Sequence, residues 1–219
     1  MAKLLILPGW QQNKKLWAPM TDKLSQWDAE AIDLPGFGEE PLVRDDWGIP
    51  EYADWVTDQI NKQETVLLGH SFGGRIAGFI ATERPSWLKA LILSGAPCLY
   101  RPSNETRVKR KFAQAARRLG IRGRSLRSTD YQEAVRKGMG NIFQKVVGFD
   151  MSETLRKINV PTLLIWGSQD SEVPLYIANE MNKLIPNSRL ELIENSGHNS
   201  FIDNPNLYYG ITKHFVENL

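Results

Sequence analysis

The sequence predicts an α/β protein built on one mostly parallel β-sheet with helices on both faces. Short apolar runs recur along the chain, and segments with helical periodicity lie between them. A strand that is apolar on both faces must be covered on both, and helical crossovers between parallel strands place helices there. The 219 residues, 42% of them hydrophobic, are enough for one domain with a sizeable core.

Six short apolar runs are the predicted strands. They are residues 4–7, 31–34, 66–68, 91–93, 163–166 and 190–193. Their length, composition and spacing are typical of buried strands separated by helices. The last run alternates apolar and charged residues, which indicates a strand near an edge of the sheet.

Prolines mark where three of the intervening helices begin. Pro50, Pro174 and Pro205 each precede a segment whose apolar residues recur at helical spacing. The first turn of a helix tolerates a residue that has no N–H. We expect these apolar stripes to face the core, and they imply no cofactor.

The alternation of strands and helices is interrupted between residues 98 and 158. This insertion has a helical pattern throughout, so we interpret it as a small helical lid. The core of the α/β domain would then consist of residues 1–97 and 159–219. The chain contains no internal repeat and no low-complexity linker.

Two helices are predicted within this insertion. One apolar stripe covers residues 108–119 and ends at Gly120, a residue type that commonly ends helices. Thr129 and Gln132 have the spacing of a capping box. They predict the start of a second helix that continues through Met139.

Cysteine content and apolar runs restrict the class of protein further. Cys98 is the only cysteine, so an internal disulfide is excluded. No apolar stretch approaches the roughly 20 residues needed to span a bilayer, and the first residues lack the regions of a secretory signal. We expect a cytoplasmic protein without a membrane partner.

A candidate nucleophile follows the third predicted strand. Residues 69–73 read Gly-His-Ser-Phe-Gly and lead into a helical pattern rich in small residues. A G-x-S-x-G pattern alone would occur by chance in roughly one chain in fifteen of this length. Between a strand and a helix it has a mechanical reason, because the serine must occupy a sharp, strained turn. We predict Ser71 as the nucleophile; the alternative is a glycine-rich turn with an incidental serine.

A serine hydroxyl needs a base within hydrogen-bond reach, and this chain has three histidines. His70 adjoins the serine, but its side chain should point away from that of Ser71, so we expect a structural role. His214 belongs to the C-terminal helix pattern, on a solvated or half-buried face. His198 lies in a turn-forming loop after the last strand and is the predicted general base. A buried structural histidine is the alternative.

The base needs an acid that fixes its tautomer and orientation. Asp170 lies in the loop after the fifth predicted strand and is the predicted acid. Glu172, two residues later, is the nearest competitor for the role. A helix cap or an Asx turn is the alternative explanation for Asp170.

The tetrahedral intermediate of acyl transfer needs hydrogen-bond donors for its oxyanion. The backbone N–H of Phe72, directly after the serine, is one predicted donor. The N–H of Trp10, in the loop after the first strand, is the second, although Pro8-Gly9 is also compatible with an ordinary turn. The predicted walls of the substrate pocket are Trp10, Phe72, Cys98, Leu99 and Phe143.

Five segments of the chain together resemble the α/β-hydrolase superfamily. They are residues 7–10, 33–38, 69–74, 166–170 and 197–198, which span almost the whole sequence. The order serine, aspartate, histidine is the order of that fold. The pattern is most similar to small carboxylesterases of the pimeloyl-acyl-carrier-protein methyl ester esterase group. This resemblance implies an α/β-hydrolase fold, a Ser71–His198–Asp170 triad, no cofactor or metal, and a small-molecule ester or related acyl substrate.

The chain departs from that superfamily in two places. Its members usually have a histidine before the glycine of the oxyanion loop, where this chain has Pro8. They also usually begin with a two-stranded hairpin, whereas here the first strand starts near Lys3. The sheet would keep about six strands, with the strand at residues 31–34 as a border that must be covered, twisted or paired, for example in a dimer.

Basic residues are concentrated in the insertion. Between residues 101 and 127 only Glu105 opposes ten basic residues: Arg101, Arg107, Lys109, Arg110, Lys111, Arg117, Arg118, Arg122, Arg124 and Arg127. The simplest explanation is a solvated helix face. An acidic acyl carrier or an anionic substrate is the alternative. Nucleic acid is disfavoured because no aromatic residues alternate with the charges to stack on bases.

The predicted reaction is hydrolysis of a carboxylic ester through an acyl-enzyme on Ser71. The same triad would also permit thioester hydrolysis, carbon–carbon bond hydrolysis or cofactor-free perhydrolysis. A ligand-binding protein that retains the fold is the alternative outside enzymes. The complete set of serine, histidine and aspartate argues against it.

Overall fold

A six-stranded, entirely parallel sheet forms the centre of the computed structural model, which describes residues 2–60, 62–101 and 129–219. The strands are β1 (Lys3–Leu7), β2 (Glu30–Ala31), β3 (Thr65–His70), β4 (Leu88–Ser94), β5 (Thr162–Gly167) and β6 (Ser188–Ile193). Their order across the sheet is β2-β1-β3-β4-β5-β6. The predicted fold class, a mostly parallel sheet of about six strands flanked by helices, is confirmed.

Helices cover both faces of this sheet. They are α1 (Ala18–Lys23), α2 (Ile49–Ile60), α3 (Phe72–Thr82), α4 (Thr129–Arg136), α5 (Gly140–Gly148), α6 (Leu175–Leu184), α7 (Ser200–Asp203) and α8 (Pro205–Glu217). Alternate residues of the strands pack against α2, α3 and α6 on one face and against α1, α7 and α8 on the other. Along the described residues, no helix combines the length and apolar character that crossing a bilayer requires.

The two borders of the sheet lie where the sequence predicted them. β2 is one border and β6 the other. The residues of β3 and β5 are all buried, whereas most of those in β6 are partly or fully exposed, in agreement with its alternating sequence. β2 is shorter than predicted, because Asp33 leaves the sheet and accepts hydrogen bonds from the Lys14 and Glu39 backbone N–H groups.

The second predicted helix of the insertion ends earlier than expected. α4 stops at Arg136, and the chain then passes through Gly138 in the left-handed region, at φ +74°. The Met139 N–H donates a hydrogen bond to Ala134 O and the Gly138 N–H donates one to Val135 O, which is the Schellman motif that ends helices. The prediction that this helix continues through Met139 is therefore wrong, because Gly138 ends it.

The described part of the insertion packs on the same core as the strands. Met139, Ile142 and Val146 are buried together with residues of α2 and α3. The other predicted helix, residues 108–119, and the basic residues from 107 to 127 lie outside the described residues. The division into a core and a lid stays a prediction.

Candidate active site

Ser71 occupies a sharp turn between β3 and α3. Its backbone has φ 50° and ψ −111°, a conformation that costs a non-glycine residue on the order of 1–3 kcal/mol. Neighbouring glycines make the turn possible: a Cβ on Gly69 would lie 2.5 Å from Gly73 O, and one on Gly73 would collide with Leu7 O. The Ser71 N–H donates to Ser94 O at 2.9 Å, which fixes the turn to the end of β4.

His198 and Asp170 form a buried pair in the loops after β6 and β5. The distance from His198 Nδ1 to Asp170 Oδ2 is 2.9 Å, and the two side chains are only 8% and 1% exposed. The loops pack so closely that a Cβ on Gly167 would collide with the carbonyl of Gly197. Because the carboxylate can only accept, Nδ1 carries the hydrogen and Nε2 is left as the basic nitrogen.

Asp170 also organises its own loop. Its second oxygen, Oδ1, accepts hydrogen bonds from the backbone N–H groups of Glu172 at 2.9 Å and Val173 at 2.8 Å. The Asx-type turn that was an alternative explanation therefore coexists with the bond to the histidine. The nearest competitor, Glu172, lies at the other ring nitrogen: its Oε2 is 3.6 Å from Nε2, beyond hydrogen-bond distance, and its side chain is 65% exposed.

The end of β4 brings the serine turn and the histidine pair together. Ser94 accepts the Ser71 N–H, and Gly95 follows in a left-handed conformation at φ +53°. A Cβ on Gly95 would lie 3.1 Å from His198 Nδ1 and 3.5 Å from Asp170 Oδ2. The three predicted triad residues thus follow strand ends at the carboxyl edge of the sheet, and the end of β4 contacts both the serine turn and the His198–Asp170 pair.

His70, the last residue of β3, contacts the loop that carries His198. It is fully buried, and its Nε2 is 3.1 Å from the backbone oxygen of His198, so Nε2 carries the hydrogen and donates it. Burial, assisted by the neighbouring His198, lowers the pKa of His70 to about 3 and keeps the ring neutral. Its structural role agrees with the expectation, but no sequence pattern indicated this partner. His214 is exposed on α8.

The two predicted oxyanion donors lie on segments that contact each other. The Gly73 N–H donates to Pro8 O at 3.1 Å and so joins the start of α3 to the loop after β1. Neither the Trp10 nor the Phe72 backbone N–H donates a hydrogen bond to another described residue. With respect to the described residues, both N–H groups are therefore available to an external acceptor.

Aromatic rings cluster beside these two amides. The Trp10 ring lies edge-on to Phe37, Phe72 and Phe143, with centroids 4.9, 5.4 and 5.2 Å apart. Three of the predicted wall residues are thus in contact, and Phe143 brings the insertion to them through α5. Phe37 was missed; the Pro35-Gly36-Phe37-Gly38 loop was its only sequence signal.

Cys98 and Leu99, the other predicted wall residues, lie deeper in the core. Cys98 is fully buried, with its thiol directed at Gly74 O, 3.8 Å away. Burial raises the pKa of this thiol to about 12, so it is not a nucleophile. Leu99 is buried beside it. Their place in a substrate pocket stays a prediction.

A separate cavity of about 640 Å³ opens at the amino ends of the strands. Its lining residues are Ala2, Gln26, Trp27, Glu64, Val66, Lys89, Pro161, Val216, Glu217 and Leu219. None of the predicted catalytic residues lines it. Among the residues that the structure describes, no three histidine, cysteine or acidic side chains are placed to hold a metal ion.

The chain belongs to the alpha/beta hydrolase family, whose model matches residues 4–209. Two curated relatives carry the name pimeloyl-[acyl-carrier protein] methyl ester esterase. The one from Neisseria meningitidis serogroup B (strain H44/76) is 26% identical over 98% of this chain and 93% of its own length. The one from Aeromonas hydrophila is 28% identical over 97% and 94%.

Solved structures show the same fold. MenH from S. aureus superimposes with a TM-score of 0.76 at 22% identity, covering 99% of this chain and 94% of that one. The resemblance found in the sequence is confirmed. Family and relatives together make the chain a hydrolase and support ester hydrolysis.

Proposed function

We propose that this chain hydrolyses carboxylic esters through an acyl-enzyme on Ser71, with His198 as general base and Asp170 as the orienting acid. The observation that carries the proposal is the buried 2.9 Å bond between His198 Nδ1 and Asp170 Oδ2, at the same edge of the sheet as a serine in a strained strand-to-helix turn. This combination leaves Nε2 basic and fixes its direction. A fold retained only for binding would need neither feature.

The first half of the reaction forms the acyl-enzyme. Ser71 Oγ attacks the ester carbonyl while His198 Nε2 takes its proton, and the imidazolium that results is stabilised by Asp170. The backbone N–H groups of Trp10 and Phe72 hold the oxyanion. His198 then gives its proton to the departing alcohol as the carbon–oxygen bond breaks.

Water completes the cycle. His198 takes a proton from a water molecule that attacks the acyl carbon, the same two amides hold the second oxyanion, and the proton passes to Ser71 Oγ as the acid leaves. Proton transfer and oxyanion binding supply the chemistry, so the residues named suffice without a cofactor.

The acyl group is proposed to be an apolar chain. Trp10 and Phe143, which are partly exposed and packed on the buried Phe37 and Phe72, offer aromatic surface on the side of the two oxyanion amides. Aromatic surface stabilises alkyl chains by burial. The names of the curated relatives support an acyl chain attached to a carrier protein. The residues from 107 to 127, which would supply the positive charge for such a carrier, lie outside the described residues.

An acidic carrier is therefore a proposal that salt can test. Within the described part of the stretch, Arg101 is already engaged, since its guanidinium makes a 2.6 Å ion pair with Glu180 on α6. If the other basic residues recruit a carrier, turnover of a carrier-bound ester should fall steeply with ionic strength while turnover of a free ester does not. Equal salt dependence of the two substrates would overturn the carrier proposal.

Turnover of p-nitrophenyl esters tests the catalytic proposal itself. The purified protein should release p-nitrophenol from short and medium acyl esters, with a burst if deacylation is slower than acylation. Ser71→Ala should reduce kcat by about 10³-fold or more and abolish labelling by a fluorophosphonate. Wild-type protein that neither turns over esters nor labels at Ser71 would overturn the proposal.

A further inference from the structure

The side chain of Gln12 joins the loop after β1 to the loop that carries His198. Its Oε1 accepts a hydrogen bond from the Gly9 backbone N–H at 2.9 Å and lies 3.4 Å from Trp17 Nε1. Its Nε2 donates to Asn199 Oδ1 at 3.0 Å. Both groups that face Oε1 can only donate, so the orientation of the amide is determined by its partners.

These bonds act directly beside the proposed catalytic machinery. Gly9 precedes Trp10, one of the two oxyanion donors, and Asn199 follows the general base, His198. Pro8 has no N–H and no polar side-chain atom, so its contribution to the loop is the carbonyl that accepts from Gly73. The hydrogen bond that holds the Gly9 N–H therefore comes from Gln12.

We infer that Gln12 is a positioning residue for ester hydrolysis, which keeps the Trp10 amide at a fixed distance from the His198 imidazole. The inference rests on the function proposed above. Oxyanion donors are effective because they are held in place before the reaction starts, and a displacement of about 1 Å can cost on the order of 100-fold in rate. Gln12 itself acts only through Gly9 and Asn199.

A purely local role for Gln12 makes a different prediction. Its backbone N–H also donates to Gly9 O at 3.1 Å and closes a tight turn. A side chain that merely stabilised this turn would affect folding stability, and its contact with Asn199, 187 residues away, would have no kinetic consequence. The decisive experiment must therefore change both ends of that contact.

Gln12→Leu keeps the size of the side chain and removes its polar contacts. We expect kcat for p-nitrophenyl butyrate to fall by about 10- to 100-fold with KM changed less than about threefold, and fluorophosphonate labelling of Ser71 to slow by a similar factor. The matched control is Gln11→Leu, the same change at the exposed neighbouring glutamine, which should stay within about twofold of wild type.

Asn199→Ala removes the other end of the contact and should also lower kcat rather than raise KM. In the double variant, the loss should be smaller than the product of the two separate losses, because both changes remove the same bond. Should Gln12→Leu fail to fold, Asn199→Ala alone carries the test through the division of its effect between kcat and KM.

Three results would overturn this role. Gln12→Leu could behave like Gln11→Leu, its effect could appear in KM alone, or the double variant could show the full product of the two losses. Any of these, with turnover that depends on Ser71, leaves the proposed function standing. If the Ser71→Ala variant turned over the ester at the wild-type rate, both the proposed function and the role of Gln12 would be overturned.

Discussion

At the scale of single residues, Asp170 divides two tasks between its two carboxylate oxygens. One oxygen accepts from His198 Nδ1, and the other accepts from the backbone amides of Glu172 and Val173. The loop thereby holds the carboxylate in one orientation, and the carboxylate holds the imidazole. In the sequence the turn and the orienting acid are alternative roles for this residue, whereas its two oxygens allow both at once.

The two acidic residues of this loop should differ sharply when changed. Asp170→Asn removes the acceptor that fixes the imidazole tautomer, so we expect kcat to fall by about 10³- to 10⁴-fold. Glu172→Gln removes an exposed charge that makes no hydrogen bond to the ring, so kcat should change less than about fivefold. Steady-state kinetics on one p-nitrophenyl ester compare them. A larger loss in Glu172→Gln would exchange the roles of the two acids.

Which site residues could be predicted depended on their chemistry. Ser71, Asp170 and His198 are reactive residue types in loops that follow predicted strands, so the sequence alone indicates them. The role of Gln12 and the partner of His70 could not be predicted, because glutamine carries no comparable signal and the contacting residues lie 187 and 128 positions away. Only the folded sheet brings those positions together.

At the scale of secondary structure, the strands and helices were predicted better than their ends. The second strand was expected to run to residue 34 but stops at Ala31, where the side chain of Asp33 begins to bind backbone amides. The helix that starts at Thr129 was expected to continue to Met139 but stops at Arg136. Both ends depend on local hydrogen bonds that hydrophobic periodicity does not encode.

Two glycine-to-alanine changes should have opposite effects on stability. Gly138 has φ +74°, and a Cβ there would have no neighbour within 4 Å among the described residues, so Gly138→Ala should lower the free energy of unfolding by about 1 kcal/mol through backbone strain alone. Gly210 lies within α8, where a Cβ would also have no neighbour within 4 Å among the described residues. Gly210→Ala should therefore raise the free energy of unfolding by roughly 0.5–1 kcal/mol.

Urea unfolding followed by tryptophan fluorescence measures both changes. Esterase activity should remain close to wild type in Gly210→Ala, because α8 contributes no residue to the proposed machinery. If the free energy of unfolding of Gly138→Ala equalled that of wild type, the end of α4 would not require a residue in the left-handed conformation.

At the scale of the whole molecule, the pattern of apolar runs determined most of the architecture. The number of runs predicts the number of strands. The complete burial of β3 and β5 and the partial exposure of β6 distinguish central strands of the sheet from a border strand. Crossover helices then require a parallel sheet covered on both faces.

The buried His70 should make the stability of the whole protein depend on pH. Its pKa is about 3 in the folded protein against 6.5 for a free side chain. Between these values the unfolded chain binds a proton that the folded one excludes, so stability is full above pH 6.5 and declines as the pH falls towards 3. Below pH 6.5, the free energy of unfolding should fall by about 1.4 kcal/mol per pH unit because of His70, which amounts to a loss of about 2 kcal/mol at pH 5.

His70→Gln is the variant that tests this dependence. Glutamine keeps an N–H donor for His198 O but does not titrate, so the variant should lose less unfolding free energy than wild type between pH 7 and pH 5. Urea titrations at the two pH values provide the comparison. Identical losses in the two proteins would show that other groups cause the pH dependence.

The spread of the site along the chain has a consequence for how activity appears during folding. Loops after β1, β3, β5 and β6 supply the proposed catalytic groups, and all the strand pairs between them are parallel and non-local. Contacts of such long sequence separation form late and slowly. Catalysis should therefore return only with the last cooperative step of refolding, so a refolding intermediate with near-native helix content would still be inert towards esters.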